Sequence, residues 1–204
     1  FHSSPGLGLV GRRVMDLAKV SPEDIDYVDL YSCFPSAVQI AAQELGFPEE
    51  RQLTVTGGLT FGGGPLNNYV MHAVARTVEL LRETSGKKAF VSANGGNLYK
   101  HVHCVYSSQA PEDPFRYENI QQDIDALPSK ICLPEYNGMV EVESYSVMYT
   151  GEKPAVAHCA GITSDGARVW SNCYDEDVLD DMTRMEFCGR TAVIRRDGTI
   201  GNFS

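Results

Sequence analysis

The chain has 204 residues, 43% of them hydrophobic and 22% charged, a balance ordinary for a soluble globular protein and long enough for two modest domains. Its formal net charge of −10 opposes non-specific binding to nucleic acid or anionic lipid, and the basic doublets Lys87-Lys88 and Arg195-Arg196, two of those in the chain, sit beside turn signals without making a patch. No apolar run approaches the ~20 residues that cross a bilayer, and the opening residues lack a basic-then-apolar pattern.

Leu7, Val10, Val14, Leu17 and Ala18 recur at three and four residues, the period of a helix with one apolar face. Ile25 to Leu30 alternates in polarity and predicts a strand entering a buried sheet. A second helix is expected through Val38, Ile40, Ala41 and Leu45, stopped by Gly46 and Pro48. The glycine-rich stretch Thr56 to Pro65 reads as a loop. After it, Asn67 or Asn68 is placed to cap a third helix with the stripe Met71, Val74, Val78 and Leu81. Lys88 to Ala93 and Val102 to Tyr106 predict neighbouring strands joined through Asn94-Gly95-Gly96-Asn97. This order gives a layered α/β unit over residues 1–108, and a sheet covered on both faces asks for at least one earlier strand.

Between residues 109 and 130 prolines and charges accumulate, which predicts a connector with one short helix near Asn119 to Ala126. Residues 131–204 turn β-like. Strands are expected at Met139 to Tyr149, Ala155 to Ile162 and Ala167 to Cys173, the last two flanking the turn Thr163-Ser164-Asp165-Gly166. An acidic helix follows at Asp175 to Met185, then Thr191 to Arg195 and a segment around Ile200 flanking Asp197-Gly198. The expected fold class is therefore α/β, a layered half-domain followed by a small, mostly β domain partly closed into a barrel.

The opening Phe1-His2-Ser3-Ser4, without a Met, predicts a fragment, a processed product or a chain lacking its beginning. The six cysteines, at 33, 104, 132, 159, 173 and 188, form no Cys-x-x-Cys pair, so reduced thiols in a cytoplasmic setting are expected, with no metal site. Gly6-x-Gly8-x-x-Gly11 fits a dinucleotide fingerprint, but that mechanism needs a strand feeding the first glycine. Close backbone packing is the expected use instead. No Lys-Ser or Lys-Thr follows the glycines of residues 57–64, so they make no phosphate loop.

Three loops carry the chemical signal: Tyr31-Ser32-Cys33-Phe34, Gly57 to Leu66, and Ala93-Asn94-Gly95-Gly96. Each borders an element of one sheet, so they are expected to converge at one edge. In order and spacing they resemble the C-terminal half of the thiolase superfamily, over about residues 5 to 108. The nearest likeness is to sterol-carrier-protein-type thiolases and to bacterial thiolase-like proteins with an added C-terminal domain. Residues 131–204 are similar to that added domain, described as oligonucleotide-binding-like in shape.

The resemblance implies coenzyme A or an acyl thioester as substrate and no tightly bound cofactor. It also implies a nucleophilic cysteine supplied by an N-terminal half, an oxyanion-binding Asn or His, a Gly-His-Pro histidine and a second cysteine for proton transfer. Carried over by position, Tyr31 stands where the Asn or His belongs, and Cys33 matches the acid/base cysteine of the His-Asp-Cys-Phe motif. Gly64 stands at the histidine and Ala93 at the cysteine of the Cys-x-Gly motif. Gly57, Gly58, Gly63, Gly64, Asn94, Gly95 and Gly96 supply the expected thioester-binding loops.

Bland readings stand beside these. Cys33 is either the acid/base group or a small thiol buried at a strand end. Tyr31 is a hydroxyl donor or a rim aromatic. His101 is the candidate for the lost imidazole; with His103 two residues on it shares one strand face, and a structurally bonded pair is the other reading. The expectation is a degenerate acyltransferase site, inactive in this chain alone. The expected partner is a thiolase N-terminal half or partner subunit, or a second copy of the chain, with no nucleic acid and no membrane. A non-catalytic scaffold is the alternative, and a single-strand nucleic-acid module is disfavoured by charge.

Overall fold

The computed structural model describes residues 2–204, and the chain divides into two compact units, Phe1–Ala126 and Leu127–Ser204. In the first, the order is α1 (Pro5–Ala18), β1 (Tyr27–Asp29), α2 (Pro35–Leu45), α3 (Gly58–Gly62), α4 (Tyr69–Glu83), β2 (Lys88–Gly95), β3 (Lys100–Ser107) and α5 (Gln121–Asp125). The sheet runs β1-β2-β3, with β1 parallel and β3 antiparallel to the central β2.

Helices α1 and α2 cover one face, where Leu7, Met15, Ala41, Leu45 and Phe47 pack with Val28, Leu30 and Phe90. The fingerprint glycines lie inside α1, not in a strand-to-helix turn. A Cβ on Gly11 would sit 1.9 Å from Leu45 Cδ2, and one on Gly8 would sit 3.2 Å from the Glu44 carbonyl oxygen. Their use is close approach of two helices. Pro35 starts α2, and Gly46, at φ 76°, ends it by returning its N–H to the carbonyls of Ala42 and Gln43.

Helix α4 packs against β2 through a different stripe from the one its hydropathy predicts. Tyr69, Ala73, Thr77 and Leu81 are buried, whereas Met71 is exposed. The cause is polar: Tyr69 is anchored by its hydroxyl to Asp29 of β1, and this fixes the rotation of the helix. Asn68 takes the N-cap position of α4 without a side-chain capping bond. The strands β2 and β3 also run longer than expected, because Asn94 pairs with His101 and Gly95 with Lys100 before the chain turns.

The second unit holds β4 (Cys132–Leu133), β5 (Gly138–Thr150), β6 (Lys153–Ile162), β7 (Arg168–Cys173), α6 (Glu176–Met182), β8 (Thr191–Ile194) and β9 (Ile200–Gly201). Its sheet order is β4-β7-β6-β5-β8-β9. A parallel bridge between Asn172 and Thr199 then brings β9 back to β7, and the Asn172 N–H donates to the Gly198 carbonyl at 3.2 Å. The five strands thus close a ring in the order β5-β6-β7-β9-β8, with α6 between β7 and β8 along the chain. That is the oligonucleotide-binding-like barrel expected for this region.

Val140, Val142, Cys159, Val169, Leu179, Met182, Ile194 and Ile200 fill the barrel. Leu179 and Met182 come from α6, whose N-terminus is held by Asp175 accepting from the N–H groups of Asp177 and Val178 at 3.1 and 3.2 Å. Long β5 bends at register shifts between Val142 and Ser144 and between Met148 and Tyr149, which lets one strand pair with both β6 and β8. Each of the six cysteines is a free thiol. Among the described residues no helix is long and apolar enough to cross a membrane.

Candidate active-site loop cluster

The three loops converge beyond the ends of β1 and β2. The Tyr31 N–H donates to Ser92 Oγ at 2.9 Å, tying the first loop to the third. Ser32 Oγ accepts from the Leu59 N–H at 3.0 Å, tying the first loop to the second. Asn94 Nδ2 donates to Cys33 Sγ at 3.6 Å, a normal length for sulfur. Cys33 is half-buried at this junction, as is Tyr31, whose ring meets the Tyr69 ring edge-on at 5.5 Å.

Beneath the loops lies a polar anchor that sequence reasoning missed. Asp29 is fully buried, and its carboxylate accepts from Thr54 Oγ1 and the Val55 N–H at 2.9 Å and from the Tyr69 hydroxyl at 3.2 Å. Thr54 and Thr56 in turn accept from the Gly58 N–H at 2.9 and 3.1 Å. A buried carboxylate is tolerated when its lone pairs are met by donors in this way. Burial pushes the Tyr69 hydroxyl above the ordinary phenol range, so it stays protonated and serves as a donor. The only hint in the sequence is an acid at an inward-alternating position of a short strand.

The glycine-rich segment is not wholly a loop: residues 58–62 form α3, started by Gly57 at φ 86°. Gly58 requires glycine twice over. Its φ is 74°, and a Cβ there would lie 2.7 Å from Ser32 Oγ. Gly63 sits at φ 79° and ψ 162°, a region other residues rarely enter. Gly96 is at φ 61° beneath the Tyr99 ring, while Gly95 belongs to the end of β2. Gly64, where the resemblance places a histidine, has ordinary backbone and open space, with Leu59 Cδ2 the nearest atom at 3.9 Å. Ala93 pairs with Val102 in the strands behind the loop.

His101 lies opposite Asn94 on β3. Its Nε2 is 3.0 Å from the Leu98 carbonyl oxygen and 3.4 Å from Ser4 Oγ, and burial lowers its pKa. His103 shares that face, with ring centroids 6.2 Å apart. It is 6% exposed and packs edge-on against Phe90 at 5.2 Å. Burial drives its pKa down to about 3, so it is a neutral core residue at physiological pH. His72 binds the Gly62 carbonyl from α4, and His158 pairs with Asn172 in the barrel. Among the described residues no three His, Cys, Asp or Glu side chains gather as a metal site needs.

A layered half-domain carrying these three loops is followed along the chain by a closed five-stranded barrel. Residues 119–199 match the family model of the thiolase-like protein type 1 additional C-terminal domain. The chain is also similar to the crystal structure of a monomeric SCP2-thiolase like protein type 1 from Mycobacterium smegmatis, at 30% identity and a TM-score of 0.88. That likeness covers 97% of this chain and 44% of the other, so the chain spans less than half the length of that relative. No protein among curated sequences matches.

Proposed function

We propose that this chain is the part of a thiolase-like acyltransferase homologue that receives a coenzyme A thioester, and that it does not turn over without the rest of its parent. The observation that carries the reading is Cys33 Sγ held against Asn94 in a loop cluster whose imidazole position is Gly64. Thioester chemistry needs a nucleophile beside a base, and donors placed where the oxyanion develops. Among the described residues Cys33 has no imidazole partner, and loss of one oxyanion donor alone lowers a rate ~10²–10³-fold. Glycine backbone at Gly57, Gly58, Gly63 and Gly96 supplies a surface a thioester can approach closely. The free thiols suit a reducing, cytoplasmic setting.

Calorimetry with acetyl-coenzyme A tests this reading. Weak or no binding is expected for this chain alone, and measurable binding for the full-length protein. Submicromolar affinity of the chain alone, or thiolytic turnover by it, would sink the reading.

A second reading, a non-catalytic scaffold, is favoured by the rim of the same cluster. Phe61 and Leu66 are 83% and 88% exposed, beside exposed Phe34, an apolar surface suited to association. Failure of the full-length protein to bind the thioester, together with co-purification of a stoichiometric partner lost in Phe61→Ser, would favour it. Nucleic-acid binding draws no support, since acids outnumber bases in the barrel unit.

A further inference from the structure

We propose that Asn94 and His101 hold one buried water between them, and that His101 thereby acts as a positioning residue for the Cys33 thiol. The two residues face each other across β2 and β3. Side chains directly opposite on an antiparallel pair share a face, with Cβ atoms ~4.5–5.5 Å apart.

Each carries a buried acceptor. The Asn94 amide spends its N–H on Cys33 Sγ at 3.6 Å, and its Oδ1 is buried without a hydrogen-bond partner. On His101, Nε2 lies 3.0 Å from the Leu98 carbonyl. A carbonyl only accepts, so Nε2 carries the proton and Nδ1 is left as a lone pair. That Nδ1 is likewise buried and unpartnered, and no direct bond could join two acceptors. Two buried acceptors at one register position need a molecule with two donors, and the two O–H bonds of a water meet that need.

The consequence falls on sulfur. With Oδ1 held by the water, the amide keeps its N–H toward Cys33 and holds the sulfur in one orientation. The His103 ring meets the His101 ring edge-on, with centroids 6.2 Å apart. This inference concerns the same Cys33 as the proposed function but requires no thioester for its test, so the two fail separately.

The test is a high-resolution crystal structure of the full-length protein and its variants. One ordered water within hydrogen-bond distance of both Asn94 Oδ1 and His101 Nδ1 is expected, with Cys33 in a single rotamer. His101→Phe should lose the water and let Cys33 occupy more than one rotamer, and His101→Gln, which keeps an acceptor for the water, should retain both features. No water between the two atoms in the wild type, or a single unchanged Cys33 rotamer in His101→Phe, would overturn the proposal. Should His101→Phe fail to fold, the wild-type density and the His101→Gln rotamer decide it in the same way.

Discussion

At the scale of single residues, the glycines of the cluster separate into two kinds. Gly58 and Gly63 are fixed by positive φ, and Gly64 is not. Gly64→Ala should therefore be neutral or stabilise by about 0.4–1 kcal/mol, the usual effect of reducing unfolded-chain freedom at a compatible site. Gly63→Ala should cost roughly 1–3 kcal/mol of backbone strain. Urea unfolding of the two variants checks both, and equal losses would show that Gly64 is constrained after all. The backbone at position 64 is thus open to a residue with a side chain. The meeting of the three loops was legible because each borders an element of one sheet. Asp29 was not, because its donors Thr54, Thr56 and Tyr69 lie 25, 27 and 40 residues away. Asp29→Ala strips the acceptor from the Val55 N–H and three hydroxyls, and about 3 kcal/mol or more of stability should go with it. A urea midpoint close to wild type would show that water replaces the carboxylate.

At the scale of elements, polarity corrected what periodicity proposed. The helix and strand positions follow from apolar spacing, Pro35 and Gly46, and the chain obeys them. Rotation of α4 does not follow, because a hydropathy stripe gives no weight to a tyrosine whose hydroxyl is claimed by a buried acid. Nor does α3 follow, since Gly58, Gly62 and Gly63 read as a loop in any local window. The strand β3 carries a consequence for acid stability. His103 is buried neutral, with its folded pKa depressed to about 3 from the 6.5 of an exposed imidazole. Its contribution is fully present above pH 6.5 and is lost as pH falls from there toward 3. The limiting slope is ~1.4 kcal/mol per pH unit. The stability of His103→Phe should fall less steeply over that window than that of the wild type, measured by urea titration at stepped pH. Parallel curves would show that other groups govern acid unfolding.

At the scale of the whole molecule, two units carry separate cores, and each holds its own sheet. A unit of residues 127–204 with a ring of strands and a helix packed in its core should fold by itself. Produced alone, it should show one cooperative thermal transition, and a broad, non-cooperative melt would refute its independence. Cys159 offers an internal check on that fold. Burial pushes its thiol up to about 12, so it should resist alkylation at neutral pH until the barrel unfolds. The strands of this unit were legible from alternation and turn signals. Partial closure into a barrel was expected from the run of short strands, but the residues that make it were not, because one contact between Asn172 and Thr199, far apart in sequence, decides it.

A bracelet fastened by one clasp opens at the clasp. The strand β9 is two residues long, paired with β8 at Ile194 and Val193 and latched to β7 by that single rung. Deuterium should therefore enter at the Asn172 amide well before the long β5–β6 ladder gives way. When the latch is up, the freed edge of β7 is a vacant berth for a strand from another molecule, so crowding this protein at high concentration should reveal whether its tail trades places between neighbours.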